Sequence, residues 1–317
     1  MPRFKDYVPH GVIPAVLLPF FDDFSIDDAS YRAHLRDVCA TPGISAITTN
    51  AHASEVASCT FDEQKRVLEI TLDEVGDRTP VICGVYADGS LEAQRLAKMA
   101  TAVGASALLV FPSNIYVFGQ RPEMAVEHFK RIADVTDLPL ILFQYPPGEG
   151  MGYRMPTLLK ICEAVPTVRA IKDWSANPLL HERQIRTLQS LPRPVNVLTT
   201  HSAWLFSSLV LGCNGLLSGS GSVIAPLQAA LFKAVQDNDL LAAKALNDRI
   251  HPTADVFYAS PAVDMHNRMK EALVLLGKLP RAVVRPPLTK LSTEEIERIR
   301  RALVKAGMLD DRVRAVA

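Results

Sequence analysis

Lys172 stands where an apolar run is about to end, in the stretch Val168-Arg169-Ala170-Ile171-Lys172-Asp173-Trp174-Ser175. A strand that buries Ala170 and Ile171 and then delivers a lysine strips water from that amine. Desolvation disfavours the ammonium form, moves the pKa from about 10.4 toward neutrality and leaves a nucleophilic nitrogen. The chemistry on offer is imine formation with a carbonyl compound. An isolated Ile-Lys-Asp is also what a lysine snorkelling to solvent looks like, so the elements around it decide.

Those elements alternate along the chain. Apolar strand-like runs occur at 11–20, 44–49, 80–85, 105–111, 138–145, 168–172, 195–199 and 215–218. Amphipathic helical patterns lie between them, at 26–39, 61–75, 90–103, 121–134, 155–165, 178–190 and 202–212, with another from about 226. None of the strands carries a solvated face, which argues for a parallel sheet covered by helices. Eight units favour a closed (β/α)8 TIM barrel, and no G-x-G-x-x-G follows the first strand to support a dinucleotide fold. Three further helical patterns, 238–250, 262–277 and 293–306, form a C-terminal helical extension, the last opened by Ser292 with Glu295 three residues on. The expected organisation is a barrel core over 1–225, and the last barrel helix with the appendage over 226–317. In such a barrel the chemistry sits at the C-terminal strand ends, where Lys172 falls.

Composition narrows the partners. Thirty-four lysines and arginines balance 34 aspartates and glutamates in 317 residues, so no broad electrostatic footprint points to nucleic acid or an anionic membrane. No run is long enough to span a bilayer, and the N-terminus lacks a signal-peptide pattern. Five scattered cysteines without a C-x-x-C pair fit a reducing compartment, so the expected location is the cytoplasm.

Several segments together resemble the dihydrodipicolinate synthase and N-acetylneuraminate lyase family of class I, lysine-dependent aldolases. They are Gly11-Val12-Ile13-Pro14-Ala15 leading to Pro19-Phe20, Ala51-His52-Ala53-Ser54-Glu55 followed by Asp62-Glu63, Gly84, Ile171-Lys172, Gly212-Cys213-Asn214-Gly215 with Ser218, and Val284-Arg285-Pro286-Pro287-Leu288. The resemblance covers nearly the whole chain. It implies that Lys172 forms a Schiff base with pyruvate or a related 2-keto acid, with an aldehyde as the possible second partner. It implies no cofactor and no metal, and a homo-oligomer, with a tetramer favoured. The chemical logic is independent of the family: a protonated imine is an electron sink that stabilises the enamine needed for carbon-carbon bond making or breaking.

The departures from the family pattern define the candidate site. Phe143 takes the place of the family's proton-relaying tyrosine, and a phenyl ring moves no protons. Tyr145 shares its strand parity and is expected about 6 to 7 Å further toward the mouth, which makes it the preferred substitute. Ala51-His52-Ala53-Ser54-Glu55 replaces Gly-Thr-Thr-Gly-Glu, so His52 stands where a threonine passes protons, with an imidazole suited to acid/base work. Ser54 and the local backbone amides, Ala53 among them, are expected to hold a keto-acid carboxylate, while Glu55 ties the loop down. Ser113 and Asn114 replace two tyrosines, Tyr116 either recovers a hydroxyl or, the favoured reading, serves as an interface aromatic, and Gly148 stands where the synthases carry a carboxylate-binding arginine. His201 lies near the mouth and makes a candidate acid/base pair with His52. Ser218 belongs to Ser218-Gly219-Ser220-Gly221, which looks like a phosphate cradle, although in the resembled family it closes the pocket floor. His10, His34, His128, His181, His251 and His266 are read as structural or solvated.

The leading reading is a lyase in which Lys172, His52 and Tyr145 are catalytic, while Ala53, Ser54, Phe143, Asn114, Gly148, His201 and Ser218 contact substrate. The missing tyrosines, threonines and arginine argue against the lysine-pathway synthase's own activity. Phe143, Gly148 and Trp174 point to a less charged second substrate, aromatic or aliphatic. The alternative is a non-catalytic or regulatory barrel that binds a 2-keto acid. A phosphate-binding isomerase rests on the glycine-serine run by fold analogy alone.

Overall fold

A computed structural model of the chain describes Phe4 and residues 7–310. Eight parallel strands, β1 (Gly11–Pro14), β2 (Ile47–Thr49), β3 (Val81–Val85), β4 (Ala107–Val110), β5 (Leu140–Gln144), β6 (Val168–Asp173), β7 (Asn196–Thr199) and β8 (Gly215–Ser218), form one sheet. The hydrogen-bonded order runs β1-β8-β7-β6-β5-β4-β3-β2, and single parallel bridges Val12↔Ile44 and Ala15↔Thr48 bring its two ends together. The fold is a (β/α)8 barrel. Almost every strand residue is buried, which the uninterrupted apolar runs require of strands enclosed on both faces.

Helices α1 (Asp28–Cys39), α2 (Phe61–Val75), α3 (Ser90–Val103), α4 (Pro122–Ala133), α5 (Met155–Ala164), α6 (Pro178–Leu188), α7 (Leu205–Val210) and α8 (Gly221–Gln236) follow the strands. Capping residues set their starts: Thr60 and Glu63 make a reciprocal capping box on α2, and Asn177 accepts from Leu180 N on α6. Beyond the barrel come α9 (Leu240–Phe257), α10 (Met265–Leu275) and α11 (Thr293–Lys305), the last capped by Ser292. The expected division after residue 225 falls inside α8, and residues 311–317 lie outside the described part.

Two boundaries differ from the periodicity in an instructive way. The first apolar run ends as a strand at Pro14, yet Val16, Leu17 and Leu18 stay fully buried as core-filling loop. The helix expected to stop at 250 continues through Pro252 to Phe257. Its face of Ile250, Thr253, Ala254 and Phe257 is buried, and that packing outweighs the hydrogen bond lost at the proline.

Gly84 marks the tightest approach near the barrel mouth. A Cβ there would lie 1.8 Å from the carbonyl oxygen of Asn50, so only glycine lets β3 pass under the turn that leads to His52. Asn50 itself adopts φ +51° and donates from Nδ2 to Gln64 O at 2.8 Å, which anchors that turn to α2. Among the described residues no helix is long and apolar enough to cross a membrane.

Candidate active site

Strand β6 alternates, and the alternation separates two neighbouring charges. Lys172 points into the barrel and keeps only 5% of its surface. Asp173 points the other way, where it accepts from Ser175 N at 2.9 Å, from Ser175 Oγ at 3.2 Å and bonds His181 Nδ1 at 2.6 Å. The nearest carboxylate in sequence is thereby spent behind the strand. Among the described residues none pairs with the lysine, and burial pushes its pKa down to about 7. Its Nζ sits 4.6 Å from the Phe143 ring centroid, on the strand partner opposite Lys172 in the ladder.

Past Phe143 the chain keeps its strand parity. Gln144 faces outward and clamps Tyr153 through two backbone contacts, donating to its carbonyl at 2.8 Å and accepting from its N–H at 3.1 Å. Tyr145 therefore faces inward. Its ring centroid lies 4.7 Å from that of Phe143, closer than the strand rise suggested, because the rings lean together. Its hydroxyl bonds His52 Nε2 at 2.9 Å.

His52 opens a short 3₁₀ turn, His52–Ser54, and sits among Phe111, Phe143, Tyr86, Tyr145 and Trp174 with ring centroids 4.8 to 6.4 Å away. Burial first, and the Lys172 charge second, push its pKa down to about 3, so the ring is neutral at physiological pH. Burial holds the Tyr145 hydroxyl protonated far into the alkaline range. Neither partner of this bond carries a charge at rest.

Lys172, Ala15, His52, Ala53, Phe143, Trp174, Thr200, Gly219, Tyr258, Met265 and His266 bound a narrow inner chamber of about 30 Å³. A vestibule of about 410 Å³ adjoins it, and the two share His52, Trp174, Met265 and His266. The vestibule wall is mainly apolar, with Val56, Val263, Pro286, Pro287 and Leu288. Arg285 reaches it, but its guanidinium is committed to Glu63 at 2.5 Å, Ser58 O at 2.8 Å and Phe24 O at 2.7 Å.

Lys172, His52, Tyr145, Ala53 and Phe143 come together as a cluster; the remaining candidates lie elsewhere. Ser54 Oγ donates to Val16 O at 2.9 Å, and Asn114 Nδ2 donates to Asp88 Oδ1 at 2.8 Å. Tyr116 is buried with its hydroxyl donating to Met124 O, so its ring does not serve as an interface aromatic. Gly148 is exposed on a 3₁₀ turn with nothing within 4 Å of where a Cβ would stand. His201 accepts from Ala176 N at 2.8 Å and stacks on Trp204 at 4.2 Å, so it braces the loop after β6. Ser218 bonds Ser220 Oγ at 2.9 Å, and Ser220 in turn bonds Ser202 Oγ and accepts from Gln228 Nε2, so the Ser218 hydroxyl is engaged in a buried side-chain network.

Two features escaped the sequence reading. His266, read there as structural or solvated, lines both cavities with its ring centroid 6.4 Å from that of His52. Lys270, one turn further along α10, is fully buried and ion-paired with Glu55, the residue expected to tie down the β2 loop. Because α10 lies outside the eight βα units, the rule that sites form at strand ends gives no signal for either residue.

The model of the dihydrodipicolinate synthetase family matches residues 8–306 of the chain. The chain belongs to the dihydrodipicolinate synthetase family. A 4-hydroxy-tetrahydrodipicolinate synthase of Gluconacetobacter diazotrophicus is 30% identical over 303 residues, covering 95% of this chain and 98% of the relative. The enzyme of the same name from Methanopyrus kandleri is 26% identical, with 95% and 97% covered. Among solved structures, a prophage protein of this family from E. coli, crystallised with pyruvate, superposes with a TM-score of 0.88 at 22% identity over 94% of this chain and 99% of that one. The Thermotoga maritima dihydrodipicolinate synthase gives 0.87 at 23% identity over 96% and 100%. As a member of the dihydrodipicolinate synthetase family the chain is a lyase of the carbon-carbon, aldolase type.

Proposed function

We propose that this family member is a class I lyase in which Lys172 forms a Schiff base with pyruvate or another 2-keto acid. The observation that carries the reading is the buried Lys172 amine, without a carboxylate partner among the described residues, in one chamber with His52, whose ring is hydrogen-bonded to Tyr145 behind it. The uncharged amine attacks the keto carbon, and loss of water leaves a protonated imine. The carbon next to it then gives up a proton to the His52–Tyr145 pair, and its bonding electrons flow into the imine to give a neutral enamine. That carbon attacks an aldehyde, the carbonyl electron pair moves to oxygen, and the oxygen recovers the proton just removed. Water hydrolyses the reformed imine and releases the product. Aldol condensation, retro-aldol cleavage and dehydration of a 2-keto-3-deoxy acid all pass through this enamine.

The second substrate we propose is less charged than that of the lysine-pathway synthase, and the activity differs accordingly. Gly148 offers no cation, and the one arginine on the vestibule wall is already saturated. A barrel that only binds a keto acid is the second reading, favoured by Phe143 in the place of the family tyrosine. Exchange of the pyruvate methyl protons with deuterium oxide, followed by NMR, tests the two. A lyase exchanges them and a binding barrel does not.

We also propose a cytoplasmic homo-oligomer, with the tetramer that the family resemblance implies. The five cysteines are free thiols, and Ile115, Val117 and Phe118 expose an apolar cluster at 60%, 57% and 93%.

A further inference from the structure

The neck between the chamber and the vestibule is formed by four side chains that border both, His52, Trp174, Met265 and His266. Any substrate joined to Lys172 and longer than the chamber must thread between them. His52 is bonded to Tyr145, Met265 offers only a thioether, and the Trp174 indole can only donate. His266 differs. Among the described residues neither ring nitrogen has a hydrogen-bond partner, and a neutral imidazole both donates and accepts. Burial and the nearby charges of Lys172 and Lys270 keep it neutral.

Its position is built rather than incidental. His266 and Lys270 stand one turn apart on the same face of α10. Lys270 is clamped by Glu55, by Val283 O at 2.7 Å and over the Phe20 ring at 4.3 Å. Glu55 lies three residues after His52 and also accepts from Arg285 N at 3.0 Å. One buried ion pair therefore fixes both histidines across the neck.

Resting on the Schiff-base reading of Lys172, we infer that His266 recognises the oxygen on the carbon two atoms beyond the imine carbon. That oxygen is the aldehyde carbonyl before the bond forms and the hydroxyl of the adduct afterwards. The substrate class is then the 4-hydroxy-2-oxo acids whose fourth carbon carries an apolar aromatic or aliphatic group. The group extends into the vestibule, between Trp174 and the Pro286-Pro287-Leu288 wall.

Cyanoborohydride trapping on the full-length protein tests this with two probes, 4-hydroxy-2-oxo-4-phenylbutanoate and 2-oxo-4-phenylbutanoate. Adducts on Lys172 are quantified by mass spectrometry against probe concentration, counting the pyruvate-derived adduct left by any cleavage. The native protein is expected to half-saturate at about tenfold lower concentration with the hydroxy acid, the size of one hydrogen bond. In His266→Ala that preference should fall to within about twofold of unity while trapping of the deoxy acid changes by less than about twofold. His266→Asn, which keeps a donor and an acceptor, should restore about threefold or more. An undiminished preference in His266→Ala, or none in the native protein, overturns the inference. Trapping of pyruvate but of neither phenyl acid overturns the substrate class. Failure to trap pyruvate itself overturns the Schiff-base reading beneath it.

Discussion

At the scale of single residues, the site depends on an amine whose charged form the fold disfavours. The Lys172 pKa of about 7 means that half of the chains carry the free nucleophile near neutrality. The initial rate of pyruvate adduct formation should rise through a midpoint near pH 7 and level off above it; a midpoint near 10 would contradict the burial argument. The same shift acts on stability. An unfolded lysine keeps its proton up to about pH 10.4, so between the two pKa values the unfolded chain binds more protons and stability increases with pH. Lys172→Met removes that penalty and is expected to raise stability at neutral pH by about 2 to 4 kcal/mol in urea denaturation, with a smaller gain at pH 10. For the proton relay, His52→Ala and Tyr145→Phe should each slow methyl-proton exchange of pyruvate by about 10²-fold or more. The double variant should be little worse than either single one, because the two act as a unit. That Lys172 and Tyr145 face the barrel interior was legible because strand ends and strand parity are local properties, and the placement of His52 beside them followed from the resemblance of its loop to the family pattern. The partners of Ser54, Asn114 and His201 were not legible, because a polar side chain at a loop position chooses among groups that only the folded chain brings within reach.

At the scale of elements, the barrel's working end is held by contacts between distant segments. The Glu55–Lys270 pair joins the β2 loop to α10 in full burial. Glu55→Gln leaves the ammonium without its counter-charge and is expected to cost about 3 to 5 kcal/mol in denaturant unfolding. Adding Lys270→Met should recover part of that loss; no recovery would mean the pair has no energetic coupling. Gly84→Ala should leave little folded protein at 37 °C, as judged by circular dichroism, since its Cβ would overlap the Asn50 carbonyl. Alternating apolar runs revealed all eight strands because strands buried on both faces admit few polar residues. The same patterns misplaced the end of α9, where tertiary packing overrode a proline. They were silent on α10 entering the site, since nothing in a helix's own periodicity says which cavity it will cover.

At the scale of the whole molecule, a net charge of zero removes long-range steering, and specificity falls to shape and to the few polar groups of the neck. The exposed Ile115, Val117 and Phe118 form an apolar surface, the contact we propose for the homo-oligomer. Phe118→Asp is expected to shift the sedimentation coefficient toward a smaller species without unfolding the chain; an unchanged coefficient would place the interface elsewhere. The most direct test of the central claim uses the intact protein. Incubation with pyruvate and borohydride, followed by intact-mass and peptide analysis, should give one reduced adduct per chain, located on Lys172 and lost in Lys172→Met. A chain that gains no adduct from any 2-keto acid, or gains it on another lysine, contradicts the account.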